Sequence, residues 1–322
     1  MRQLGKRARF VISLSLLAAV ACGKEQAGPV THGADSTAES TATVPAASKP
    51  EPYSYPAPVS GHYKEINTGD FDLVDGVAWG PTRAGETSVY VTDKPLASPV
   101  LGTACPMAEA RALAVLRDAH WNEVALDAQG RSKYFAAGTQ YDGTSRSEDV
   151  GGHDWKFVRR DTGADRIAGK VTNRNYGSFE LDLPVRKPSV AEVGEIERMD
   201  GGLSKPDMPA LDPSAAIATF AKIRAAALAH DLPGWLSAQG FSTSQAAAIR
   251  GLAGIDADLE RHALHFLSPE TPQGSEETEM YPGAGYVRGE GTNSKGAKFI
   301  NYYYLVPCGD RVLLGMIGEN PQ

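Results

Sequence analysis

The sequence predicts an α+β protein: a β-rich region carrying one helix, then a region of helices closed by antiparallel strands. Three observations predict it. Phe179-Glu180-Leu181-Asp182-Leu183 alternates apolar and acidic residues strictly, as a strand with one buried and one wet face does. Asp212-Pro213 opens a stretch in which Ile217, Phe220, Ala221, Ile223, Ala227 and Leu228 recur at helical spacing. Three runs rich in aromatic and β-branched residues then close the chain. The length, 322 residues, suffices for two ordinary domains plus extra segments, and 34 Gly with 21 Pro are too few for a collagen-like or wholly disordered chain.

The first element is an address. Met1 to Arg9 are basic, Phe10 to Ala21 are almost wholly apolar, and Ala19-Val20-Ala21 is a small-residue cleavage site, so residues 1–21 read as a signal peptide. The apolar run is too short to span a bilayer, which takes about 20 residues. Loss of its four cations takes the net charge from −7 to −11. Such a chain is a poor partner for nucleic acid, whose affinity comes from Lys and Arg neutralising phosphates.

Leu17-Ala18-Ala19-Val20-Ala21-Cys22 resembles the lipobox of bacterial lipoproteins. That resemblance implies that Cys22 becomes the acylated first residue and that the chain binds membrane through its lipid anchor. In the same family Gly23, rather than Asp, after the cysteine implies export to the outer membrane, with the protein facing the periplasm or the cell surface.

Residues 22–60 read as a disordered tether. From Ala27 to Pro58, 23 of 32 residues are Ala, Gly, Pro, Ser or Thr, too little apolar surface to offset chain entropy. His32, Tyr53 and Tyr55 lie within it and are expected to be solvated.

Residues 61–185 read as the β-rich domain. Ser88–Thr92, Asn122–Leu126 and Trp155–Arg159 join Phe179–Leu183 as strand candidates. Asp127–Gly130, Asp142-Gly143, Gly151-Gly152 and Asp161–Gly163 supply turn residues between them. One helix is expected from Pro106 through Leu116, with Met107, Ala110, Leu113 and Ala114 on one stripe.

Residues 186–211, with Pro188, Gly194, Gly201, Gly202, Pro206 and Pro209, read as a linker holding at most a short helix over Val190–Met199. Residues 212–322 read as the second domain. Its elements are the Asp212 helix ending near His230, a short helix at Asp231–Leu236 and a helical region from Ser244 to Phe266 interrupted at Gly251–Gly254. Strands at Met280–Gly289, Ala297–Val306 and Arg311–Ile317 follow, the last two joined by a hairpin turn at Cys308-Gly309-Asp310.

The order of a helix, a short helix carrying Asp231, Trp235 and Leu236, a further helix and a closing pair of long strands resembles the nuclear-transport-factor-2-like fold, also called cystatin-like or SnoaL-like. It implies a curved antiparallel sheet, a cone, wrapped against helices. More loosely, Val89–Leu96 (Val-Tyr-Val-Thr-Asp-Lys-Pro-Leu) resembles an element of uncharacterised proteobacterial envelope proteins, and implies no activity.

With Cys22 assigned to lipid, Cys105 and Cys308 remain: either a disulfide, favoured by an oxidising periplasm, or two separate buried thiols. A bond would close a loop of 203 residues and contribute about 4–5 kcal/mol in the loop-entropy model. His262 and His265 could share a helix face with Asp258 as a metal site, but a fourth ligand is missing, and partial burial at a helix end, where a protonated ring suits the dipole, is the simpler reading. His153-Asp154 and His230-Asp231 have no accompanying nucleophile motif. No catalytic residue, metal or cofactor is assigned.

Phe299 to Val306 alternates Phe299, Asn301, Tyr303, Leu305 with Ile300, Tyr302, Tyr304, Val306, so both faces must meet protein or a cavity. Central-strand packing is one reading; the other is a ligand pocket with Trp235, Tyr302 and Tyr304 on its wall. The expected function is a non-catalytic envelope lipoprotein that binds a protein or a small apolar ligand. One variant is an immunity or inhibitor lipoprotein against a basic toxin acting in the periplasm. The alternative is a small-molecule enzyme using the cone cavity, with Tyr302 or Tyr304 and a nearby acid as proton donors.

Overall fold

The structure, a computed structural model, describes residues 52–65, 69–81, 85–102, 105–127, 129–139, 155–160, 163–187, 211–267, 275–277, 285–292 and 298–321. All of them belong to the unit running from Lys49 to Gln322. Cys22, the predicted signal peptide, most of the tether, His153-Asp154, the turns at 142–143 and 151–152, and the segment Val190–Met199 lie outside the described residues.

The architecture is α+β. Nine strands form the larger sheet: β1 (Val59–Glu65), β2 (Gly69–Leu73), β3 (Asp75–Trp79), β4 (Thr87–Thr92), β5 (His120–Leu126), β6 (Ser132–Thr139), β7 (Lys156–Arg159), β8 (Arg166–Asn173) and β9 (Gly177–Arg186). Their order is β2-β1-β9-β3-β4-β5-β6, with β8 and then β7 branching from β9. At β9, Gly177–Leu181 pair with β1 and Gly177–Pro184 with β8, and Val185 and Arg186 then run parallel to β3. The β1 and β3 arms are therefore distinct surfaces that share one interior, where Tyr63, Leu73, Phe179 and Leu181 meet Val89, Val91, Val124 and Phe135. The strict alternation in β9 has this cause: Phe179, Leu181 and Leu183 point inward, and Glu180 and Asp182 pair in the open with Arg160 and Arg166.

The second face of the β3 arm carries Val77, Trp79, Tyr90 and Trp121 and packs on α1 (Pro106–Arg117). Every residue of α1 is buried, Glu109, Arg111 and Arg117 included. A helix covered on all sides belongs to the core.

Beyond α1 come α2 (Pro213–Leu228), α3 (Leu232–Ala238), α4 (Thr243–Arg250) and α5 (Ile255–Leu264), then the strands β10 (Ser275–Glu277), β11 (Gly285–Thr292), β12 (Lys298–Cys308) and β13 (Arg311–Pro321) as a four-stranded antiparallel sheet in sequence order. Asp212 caps α2 by accepting the Ser214 N–H, Asp231 caps α3 through Gly234, and Ser242 with Gln245 closes a capping box on α4. Gly309, at φ 64°, turns β12 into β13; a two-residue hairpin loop of the II′ kind needs such a residue first. No helix among the described residues is long and apolar enough to cross a membrane.

One apolar cluster runs from Trp79, Tyr90 and Leu113 to Phe220, Trp235, Tyr303 and Ile317, so the segments on either side of the Pro- and Gly-rich stretch share a core. Cys105, the residue before α1, and Cys308, the last of β12, are joined in a disulfide with their Cα atoms 6.0 Å apart. This agrees with the pairing expected from compartment.

Tyr53 and Tyr55 are half-buried and tied to the core, where full solvation was expected. The Tyr53 N–H donates to the Gly251 carbonyl at 2.8 Å, and the Tyr55 hydroxyl donates to buried Asp75 while accepting the Ala97 N–H at 3.0 Å. Composition hid this, because two rings among small residues do not register as a hydrophobic period, yet two rings suffice to strap a chain to a core.

Candidate functional site

The site begins with β12, where neighbouring side chains part to opposite faces. Asn301, Tyr303 and Leu305 are buried against the helices. The Tyr303 ring lies 4.6 Å from that of Phe220 and 5.2 Å from that of Phe266, and its hydroxyl donates to the His265 carbonyl at 2.7 Å. Burial pushes that hydroxyl up to about 12. Trp235 is on this side too, fully buried, its Nε1–H donating to His262 Nε2 at 3.1 Å. Burial lowers His262 to about 3 and His265 to about 4, so both rings are neutral, against the expectation of a protonated ring at the helix end. The helix-facing side of the sheet is thus filled by packed aromatic and aliphatic side chains.

Tyr302 and Tyr304 point the other way and are half-buried. Tyr286 of β11 stands opposite Tyr304 in register, its ring 5.2 Å edge-on from that of Tyr302 and 6.0 Å from that of Tyr304. Arg288 stands opposite Tyr302 and pairs with Glu290 at 2.6 Å. The Glu290 carboxylate first, then the Tyr302 hydroxyl, hold Arg288 above its ordinary value. Gly318 leaves room on β13 for the Tyr304 ring. The structure therefore brings Tyr302 and Tyr304 together and places Trp235 on the opposite side of the sheet. The strand expected over Met280–Gly289 already held Tyr286 and Arg288, but sequence reasoning singled out neither them nor Glu290, because only the register against β12 sets them beside Tyr302 and Tyr304.

The remaining candidates dissolve into structural pairs. Asp258 receives Arg117 at 2.9 Å, so the imagined Asp258, His262 and His265 grouping does not form. Among the described residues no three His, Cys, Asp or Glu side chains gather as a metal site. Asp231 is spent on capping α3. A His–acid pair does form, between residues 27 apart: His120 Nδ1 lies 2.7 Å from Asp93 Oδ2, with the ring stacked on Phe71 at 4.6 Å. The Asp93 hydrogen bond raises His120 above its ordinary value.

No family model, no curated protein and no solved structure matches this chain.

Proposed function

We propose that this protein is a lipid-anchored envelope protein of the periplasm or outer membrane that acts by binding a protein partner, not by catalysis. Acylation at Cys22 supplies the anchor, and the tyrosine face of the smaller sheet supplies the contact. The observation that carries the reading is the division of β12: Tyr303 and Trp235 fill the helix side with side chains, leaving a partner the outward set of Tyr286, Tyr302, Tyr304 and Arg288. Tyr and Arg are the residue types that dominate interface energies, since each offers wide contact area with a polar tip. The disulfide fits an oxidising compartment. The sequence of helices followed by a meander of strands supports a relative of the cystatin-like cone for residues 212–322, with a filled interior.

The test is photo-crosslinking in cells from residue 302, with Val158 on β7, 65% exposed, as the control position. A discrete adduct from 302 and none from 158 is expected, and Cys22→Ser should move the protein from the membrane to the soluble fraction. Absence of adducts from 286, 302 and 304 alike would sink the binding face, and unchanged membrane fractionation of Cys22→Ser would sink the anchor.

A further inference from the structure

A recess of about 200 Å³ opens where β9, β3 and the short turn Ser98–Val100 meet. Its wall is mostly apolar, from Pro58, Val77, Pro99, Leu183 and Pro184, and Arg186 lies in it. That guanidinium is half-buried and donates through Nη1 to the Leu101 and Gly102 carbonyls, at 2.8 and 3.4 Å, and through Nη2 to the Ser98 carbonyl at 2.6 Å. Carbonyls orient the group without cancelling its charge, and among the described residues no carboxylate pairs with it.

The two carboxylates whose fields reach Arg186 are Glu109 and Asp75, and both are committed elsewhere. Glu109 accepts from Arg311 at 2.6 Å and from Gln245 at 2.8 Å. Asp75 accepts from the Ser98 hydroxyl at 2.5 Å, from the Leu96 and Gly76 N–H groups at 2.6 and 2.7 Å, and from Tyr55. At the rim, Arg166 and Asp182 compensate each other at 2.6 Å. A fixed cation thus sits in an apolar recess with donor capacity to spare: a guanidinium has five N–H groups, and Nε–H bonds none of these carbonyls.

We propose that this recess binds a small apolar monocarboxylate, with the ligand carboxylate on Arg186 and its body against the proline, valine and leucine wall. A guanidinium favours a carboxylate by geometry and by a charge-assisted bond stronger than a neutral one. At roughly 30 Å³ per water the recess holds about seven waters, which limits the ligand to roughly ten non-hydrogen atoms, an acid the size of benzoate. The inference does not depend on the tyrosine face, and its test uses no residue of that face.

The probes are benzoate and its neutral isostere benzamide, titrated calorimetrically into the purified full chain and read in parallel as thermal stabilisation. Benzoate is expected to bind at least about tenfold more tightly than benzamide, the margin of a hydrogen bond to a charged group over a neutral one. Arg186→Gln should abolish that margin. Because it also loosens three carbonyls, Pro99→Trp serves as a second variant: it fills the recess from an exposed position, leaves Arg186 in place and should weaken benzoate binding. Equal binding of the two probes, no binding of benzoate, or full benzoate affinity in Pro99→Trp each overturns the proposal.

Discussion

Trp235 buries an indole whose N–H needs an acceptor, and His262 Nε2 is the acceptor it finds. The ring must then keep its proton on Nδ1 and stay neutral, as its burial favours. The consequence for stability has a definite sign. The unfolded ring takes up a proton below about 6.5, whereas the folded ring resists until about 3, so between those values the unfolded state binds more protons and acid destabilises the fold. His265, lowered to about 4, acts in the same sense. His120 is raised and acts oppositely: its contribution is full below about 6.5 and fades as the pH rises through its folded value. Urea unfolding from pH 7 down to pH 4 should show falling stability, each lowered ring adding at most about 1.4 kcal/mol per pH unit. His262→Gln, which keeps an acceptor for Trp235, should flatten the slope, and an unchanged slope would remove His262 as its source. The sequence marked Trp235, His262 and His265 as unusual, but residues 27 apart in sequence do not announce that they share a hydrogen bond. The same gap hid the partnership of Tyr55 with Asp75.

Elements were legible where local rules decide them. The caps at Asp212 and Asp231, the proline opening α1 and the break at Gly251–Gly254 are set within a few residues and lie where capping chemistry puts them. The strands β1, β2, β3, β6, β8 and β10 were not read, because their partners dictate them. In β8, Gly169 lies beneath the Phe157 ring of β7, so a residue that weakens a strand in isolation is required by its neighbour. Helix α1 is the clearest case of context overriding pattern. The stripe of Met107, Ala110, Leu113 and Ala114 predicts one buried face, yet the charged residues are buried too, each held by a different partner: Glu109 by Arg311, Arg111 by Glu123 and Arg117 by Asp258. A buried pair is costly to break, because the surviving charge keeps its desolvation penalty. Asp258→Asn should therefore cost about 3–5 kcal/mol in urea denaturation. Arg160→Gln, which breaks a half-exposed pair with Glu180, should cost no more than about 1 kcal/mol. Similar costs for the two would mean that Arg117 reaches water once its partner is gone.

At the scale of the whole molecule, the sequence divides the chain at its Pro- and Gly-rich stretch, whereas packing joins what lies on either side. α1 reaches β13 through Glu109 and Arg311, reaches α5 through Arg117 and Asp258, and is bonded to the end of β12 through Cys105 and Cys308. The strap at Tyr53–Pro58 adds a further tie, from Gly251 to Asp75. These ties differ in kind. The ion pairs and the shared apolar cluster act on the folded state, but the disulfide acts chiefly on the unfolded chain by closing a loop of 203 residues, worth about 5 kcal/mol in the loop-entropy model. Removing it should lower stability without undoing the docking, since α1 stays covered by both sheets. In the wild-type protein, peptide mapping without reductant should yield one fragment joining Cys105 to Cys308. In calorimetry, Cys308→Ala should still unfold in a single transition, lowered by about 10 °C or more at the usual 2–4 °C per kcal/mol for a chain of this size. A split into two transitions, with the C-terminal helices and strands melting apart from the nine-stranded sheet, would mean that the bond, and not the continuous core, is what makes the two halves fold as one.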